Sequence, residues 1–163
     1  MGNNSDMRIT SERFGQVEVP AAIPAYLRRY CQQPGAAETG GALGGYFQKS
    51  GTLVISHVMP PSPRNMAGLF WLKRHRGDAQ TFVNSVFADT AGAANYVGEW
   101  HTHPEPHPSP SIRDRKMMAD LLKRSKLEIT FLVGFIVGDT GEICVWLQDA
   151  AGNREVFPAA LSR

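Results

Sequence analysis

Between Glu99 and Asp114 the chain reads Glu-Trp-His-Thr-His-Pro-Glu-Pro-His-Pro-Ser-Pro-Ser-Ile-Arg-Asp. His101 and His103 are two residues apart, and on an extended strand such residues point to the same side. Ser111 and Asp114 are three apart and share a face if a helix begins there. Two imidazoles and one carboxylate make a three-ligand set for a single zinc ion, with the fourth position open to water. An open position separates a catalytic metal from a structural one, and zinc lowers the pKa of its water to about 7. The segment therefore predicts a hydrolase.

Hydrolysis of a peptide-type bond needs two further parts. A general base must take the water proton and deliver it to the leaving amine. A donor must stabilise the oxyanion as it forms. Ser111 is placed to be that donor. Two glutamates compete to be the base. Glu99 lies two residues before His101 and would share the histidine side of a regular strand. Glu38 is distant in sequence but opens the glycine-rich run Glu38-Thr39-Gly40-Gly41-Ala42-Leu43-Gly44-Gly45, where small residues let another backbone or a substrate come close. Spacing alone does not choose between them. Flanking prolines turn His107 away from the pair, so it is read as an exposed loop residue. His57 and His75 are read as structural or solvated.

These residues need elements to hold them. Apolar positions predict a helix over residues 21–33, ended by Pro34-Gly35. Two strands follow, Gly41 to Gln48 and Thr52 to Met59, as a hairpin around Lys49-Ser50-Gly51. Pro60-Pro61-Ser62-Pro63 opens a long loop to Gly77, a candidate lid. A helix is expected from Asp78 to Asp89 with Phe82, Val83, Val86 and Phe87 on its inner side. A strand from Asn95 to Trp100 leads into the histidines. Four prolines within Pro104 to Pro110 prevent its continuation. A helix from Ser111 to Ser125 then carries Met117, Met118, Leu121 and Leu122 inward. Strands are expected over Glu128 to Val137, Glu142 to Leu147 and Arg154 to Phe157. The first several residues read as polar and loose. The mixture predicts one α/β domain over residues 1–163, a mixed sheet flanked by helices.

The chain has 163 residues, enough for one domain with a real core, and its net charge of +2 exerts no strong pull on nucleic acid or anionic membrane. The two cysteines, Cys31 and Cys144, form no CxxC pair and are read as buried small hydrophobes in a reducing, cytoplasmic setting. The longest apolar run, Phe131 to Val137, is far short of the ~20 residues that span a bilayer, and the N-terminus has no apolar signal core. The basic run Lys73-Arg74-His75-Arg76 reads as a solvated face. The same reading covers the cations of the 111–125 helix, which could receive an acidic partner if they face the cleft. Phe70, Trp71 and Trp100 are expected in the core, with Trp100, next to a ligand, as the candidate substrate contact.

Glu38-x-x-Gly41-x-Leu43-x-Gly45, then His101-Thr102-His103-Pro104, then Pro110-Ser111-x-x-Asp114 resembles the signature of the JAMM (JAB/MPN+) metallopeptidases at every position. The resemblance implies a cytidine-deaminase-like sandwich. It implies Glu38 as general base, His101, His103 and Asp114 as ligands of one zinc ion, and Ser111 as the residue that steadies the tetrahedral intermediate. It implies cleavage after the C-terminal tail of a ubiquitin-like protein joined to a lysine. The phrase Tyr96-Val97-Gly98-Glu99-Trp100-His101-Thr102-His103-Pro104 is similar to the compact bacterial branch encoded in anti-phage (CBASS-type) operons. That similarity implies a nucleotidyltransferase conjugate as substrate and an activating and conjugating enzyme as operon partner. Rival readings are a processing peptidase for a sulfur-carrier protein, a non-catalytic scaffold of the same fold, and a nucleoside deaminase. The last of these wants a cysteine-containing zinc set that Cys31 and Cys144 do not supply.

Histidine binds metal only when neutral, so activity is expected to disappear below about pH 5 to 6 as protons compete for the two imidazoles. A pH–rate profile on intact substrate checks this, and full activity at pH 4 would contradict it.

Overall fold

A computed structural model describes residues 5–158. The loose start expected for the first several residues lies outside the described residues as far as Asn4. From Met7 onward the backbone is regular: β1 (Met7–Ser11) and β2 (Gly15–Val19) pair as an antiparallel hairpin. This hairpin was not foreseen, although Ile9, Val17 and Val19 alternate with polar residues and are all buried. The predicted 21–33 helix is shorter. It runs as α1 (Ala22–Leu27), tightens into a 3₁₀ turn over Arg28–Tyr30, and leaves Cys31 only half-buried beyond it.

The glycine-rich run becomes β3 (Gly40–Phe47), paired with β4 (Leu53–Val58). The 60–77 loop contains a small hairpin of its own, β5 (Met66–Gly68) with β6 (Trp71–Lys73). After it come α2 (Arg76–Asp89), β7 (Asn95–Thr102), α3 (Ile112–Arg124), β8 (Phe131–Val137), β9 (Ile143–Asp149) and β10 (Arg154–Phe157). Eight strands form one mixed sheet in the order β1-β2-β4-β3-β7-β8-β9-β10. Among the described residues the parallel pairs are β2–β4 and β7–β8.

The sheet is apolar on both faces, and β8 shows why. Phe131, Val133, Phe135 and Val137 pack on the α1 side with Leu27, Leu43 and Trp100. Leu132 and Ile136, one position out of phase, pack on the other side beneath α2 and α3 with Ala79, Met118 and Trp146. A strand covered on both faces reads as a continuous apolar run rather than an alternating one. The inner stripe of α2 is narrower than expected. Ala79 and Val86 are buried and Phe82 and Val83 partly so, but Phe87 is exposed, because it lies about 100° around the helix from Val86.

Two of the aromatic expectations are reversed. Phe70 is 70% exposed and Trp71 stands partly exposed at the start of β6, whereas Trp100 is 1% exposed. The reason is topological. Phe70 and Trp71 ride on the two-stranded hairpin outside the main sheet, while Trp100 sits on a central strand. Its indole packs against Tyr30 and its Nε1 donates to the Met59 carbonyl at 2.9 Å.

Glycine is required where strands close most tightly. A Cβ at Gly98 would fall on the Val133 carbonyl oxygen of the parallel neighbour, and neither backbone can retreat. At Gly41 a Cβ would lie 2.7 Å from the Met59 carbonyl oxygen. The room left by these small residues is filled by protein backbone. Gly98→Ala is expected to lower stability by about 2 kcal/mol or more, read from urea denaturation. An unchanged midpoint would show that the β7–β8 spacing tolerates the methyl group.

Candidate metal centre

His101 is near the end of β7 and His103 lies just beyond it. The strand pairing continues past the assigned end. The Thr102 amide donates to the Thr39 carbonyl at 2.9 Å and the His103 amide to the Val137 carbonyl at 2.9 Å. Thr39 in turn donates its amide to the Thr102 hydroxyl at 3.0 Å. These bonds bind the segment carrying Glu38 to the segment carrying the histidines. The Glu38 amide donates to the Gly68 carbonyl at 2.9 Å, which ties it also to the β5–β6 hairpin.

The side chains converge. His101 Nε2 and His103 Nε2 are 3.0 Å apart. One oxygen of Asp114 is 3.1 Å from His101 Nε2 and the other 3.2 Å from His103 Nε2. Glu38 Oε1 is farther off, 4.0 Å from His103 Nε2. All four residues are buried. Two ligand triads can be drawn here. Glu38, His101 and His103 offer atoms mutually within 4.8 Å, but the Asp114 carboxylate touches both imidazoles directly and Glu38 does not. Asp114 thus lies against both imidazoles, at 3.1 and 3.2 Å, and Glu38 stands slightly farther off, at 4.0 Å.

Asp114 is held by its own helix. Ser111 is the N-cap of α3 and Asp114 the third residue of its first turn, and the two form a reciprocal capping box. Ser111 Oγ accepts from the Asp114 amide at 3.1 Å, and the Ser111 amide donates to Asp114 Oδ2 at 2.7 Å. Burial alone would push the Asp114 carboxyl up, but the two histidines and Ser111 hold it far below the usual carboxylate range. For His103, burial pushes the imidazole down, and the carboxylates of Asp114 and Glu105 outweigh it and hold it above its ordinary value. Burial pushes Glu38 above the usual carboxylate range against the opposing pull of the histidines.

His103 Nδ1 lies 2.9 Å from Glu105 Oε1. A proton on Nδ1 donated to that carboxylate leaves Nε2 as a lone-pair ligand, as is common for histidines that bind metal. Imidazole nitrogens and a carboxylate are a natural zinc set, and this buried cluster of acceptors fits a divalent cation. Glu105 was not foreseen; its one signal is its place two residues after a ligand.

Glu99 also lines the cleft, but its carboxylate is engaged. Arg74 donates to both its oxygens, at 2.8 and 2.6 Å, and Tyr96 donates its hydroxyl to Oε1 at 2.7 Å. Tyr96 reaches Glu99, three positions on, because the β3–β7 pairing skips Val97 and changes the phase of the strand. Arg74 is thus no solvated member of a basic run: its side chain is only 16% exposed. Burial pushes its guanidinium down, and Glu99 more than reverses this; for Glu99, burial pushes the carboxyl up against Arg74 and Tyr96. The other histidines lie elsewhere. His107 is exposed and meets Glu142 at 2.6 Å, His57 contacts Ser56, and His75 caps α2. Arg74→Met is expected to cost about 3–5 kcal/mol, since it strands Glu99 in the interior. Thermal unfolding checks this, and a variant as stable as the parent would mean that Glu99 finds solvent or another partner.

Several known proteins resemble this chain. A protein of Escherichia coli (strain TW11681) named "CD-NTase/cGAS isopeptidase" is 34% identical over 99 residues, covering 61% of this chain and 63% of that protein. A Vibrio cholerae protein of the same name is 36% identical over 78 residues, covering 48% of this chain and 49% of its own. A Pseudomonas aeruginosa protein, again of that name, is 32% identical over 122 residues and covers 74% of each chain. The chain thus spans about half to two thirds of the length of the first two relatives. The solution structure of protein DSY2949 from Desulfitobacterium hafniense shares the fold, with a TM-score of 0.56 at 14% identity over 87% of this chain and 90% of that one. Residues 20–148 match the family described as prokaryotic homologs of the JAB domain, and with the metal-type cluster lying inside that span, the chain belongs to this family.

Proposed function

We propose that this protein is a zinc-dependent isopeptidase that cleaves after the C-terminal tail of a protein joined to a lysine. One observation carries the reading: His101, His103 and Asp114 present their acceptor atoms within 3.2 Å of one another, and Glu38 stands 4.0 Å from His103. His101, His103 and Asp114 would hold one zinc ion, which as a Lewis acid supplies an activated water and polarises the scissile carbonyl.

Every other part comes from the chain. Glu38 takes the proton of the attacking water and returns it to the amine of the departing lysine. Burial raises its basicity, which suits a group that must both accept and release a proton near neutrality. Ser111 spends a lone pair on the Asp114 amide, so its hydroxyl hydrogen is free to donate to the oxyanion. Glu105 keeps His103 in the ligating tautomer. Trp100 lines the cleft with its indole packed into the core.

The names of the relatives support a nucleotidyltransferase conjugate as substrate; the anti-phage operon and its activating and conjugating enzyme are part of our proposal. We place the reaction in the cytoplasm on the strength of two free cysteines; among the described residues no helix is long and apolar enough to cross a membrane. The single-domain reading and the cytidine-deaminase-like sandwich rest on the continuous eight-stranded sheet covered on both faces.

The test is cleavage of a purified conjugate. Glu38→Gln is expected to lower kcat by about 10²–10⁴-fold with metal content unchanged. His101→Ala is expected to lose the metal, measured by elemental analysis, and activity with it. A chelator should abolish cleavage and added zinc restore it. Activity of Glu38→Gln within twofold of the parent would overturn the assignment of the base, and no cleavage by the parent would overturn the proposal itself.

A further inference from the structure

The cleft beside the cluster, about 360 Å³, has a charge pattern that the proposed chemistry does not use. Its walls are largely apolar, with Trp71 and Leu72 from the β5–β6 hairpin and Met117 from α3. Its carboxylates are all buried. Asp114 and Glu38 face the histidines, and Glu99 is held by Arg74 and Tyr96.

Two cations of the same cleft are different. Lys73 ends β6 and Arg113 sits in the first turn of α3, and both are exposed. Among the described residues neither makes an ion pair or a side-chain hydrogen bond, whereas their neighbour Arg74 makes both. The exposed charge of the cleft is therefore positive, and it is supplied from two separate elements. Cations set in a cleft with low-dielectric walls concentrate anions there and repel cations. A chain entering the cleft with basic residues would meet like charge at Lys73 and Arg113, since the carboxylates lie buried deeper in. A chain with acidic residues would give Lys73 and Arg113 the partners they lack.

Resting on the isopeptidase reading, we propose that Lys73 and Arg113 determine specificity: they select a C-terminal tail that is apolar and acidic close to the scissile bond, and they reject a basic one. The tail's apolar side chains lie against Trp71, Leu72 and Met117, and its carboxylates face the two cations.

Two synthetic isopeptides test this, each an apolar tail joined through its C-terminus to a lysine side chain, differing only in two aspartates or two lysines near the junction. The zinc-loaded protein is expected to cleave the acidic tail with a kcat/KM about tenfold higher at low salt, and the ratio should shrink in about 0.5 M salt. The double variant K73E/R113E should reverse the order. K73E alone, which leaves α3 untouched, should move the ratio part of the way. Lys49→Glu, on the distant β3–β4 turn, should leave it unchanged. Equal rates on the two tails, or an order that the charge reversals do not alter, would overturn the specificity assignment and leave the isopeptidase reading intact. Failure of the parent to cleave either tail or an intact protein conjugate would overturn both.

Discussion

The parallel pairing of β7 with β8 is the constraint on which the rest of the molecule depends. Parallel neighbours cannot be joined by a tight turn, so the chain must leave the end of β7, cross a face of the sheet and return. The proline-rich stretch from Pro104 to Pro110 and α3 make that crossing. The crossing brings the start of α3 back over the end of β7. Asp114, in the first turn of the helix, consequently meets His101 and His103, eleven or more residues earlier in the chain. Crevices at the carboxyl ends of parallel strands are where α/β sheets commonly place their chemistry. Here the strand that approaches β8 so closely at Gly98 is the one that carries His101.

Around this crossing the fold buries an unusual number of ionisable groups: Glu38, Glu99, His101, His103 and Asp114. Charges removed from water must be compensated. Glu99 is neutralised inside the chain by a two-pronged guanidinium and a phenol. Asp114 and Glu38 face imidazoles, and among the described residues no lysine or arginine forms an ion pair with either. The contrast separates a structural ion pair from a cluster that suits a cation. The structural pair also has a place in the architecture: Arg74 follows β6 directly, so its bond to Glu99 fastens the β5–β6 hairpin to the central strand and keeps one wall of the cleft beside the histidines.

Regular elements whose signal lies within a few residues were legible in advance. The β3–β4 hairpin, α3 with Ser111 at its cap, and β10 agree closely with expectation, because turn residues, a capping pattern and apolar period are local properties. The β1–β2 hairpin was missed because a polar N-terminus masked three alternating apolar residues. The fate of Phe70 and Trp71 was misjudged for another reason. Phe70, Trp71 and Trp100 are alike in type, and only their place on an outer hairpin or a central strand decides which is buried. Arg74 was hidden in a run of charges because its partner lies 25 positions away.

By itself the sequence determined the identities and local spacing of the chemical groups: two histidines on one side of a strand end, and a serine and an aspartate locked together in a helix's first turn. These follow from backbone periodicity and capping, which act over three or four residues. It left open whether Glu38 or Glu99 stands free beside the cluster, and which aromatics and cations face the cleft. Tertiary structure decided these, since they depend on contacts between segments far apart in the chain. A skipped residue in β7 and a distant arginine commit Glu99 to an ion pair, while hydrogen bonds across to Thr102 bring Glu38 to the histidines.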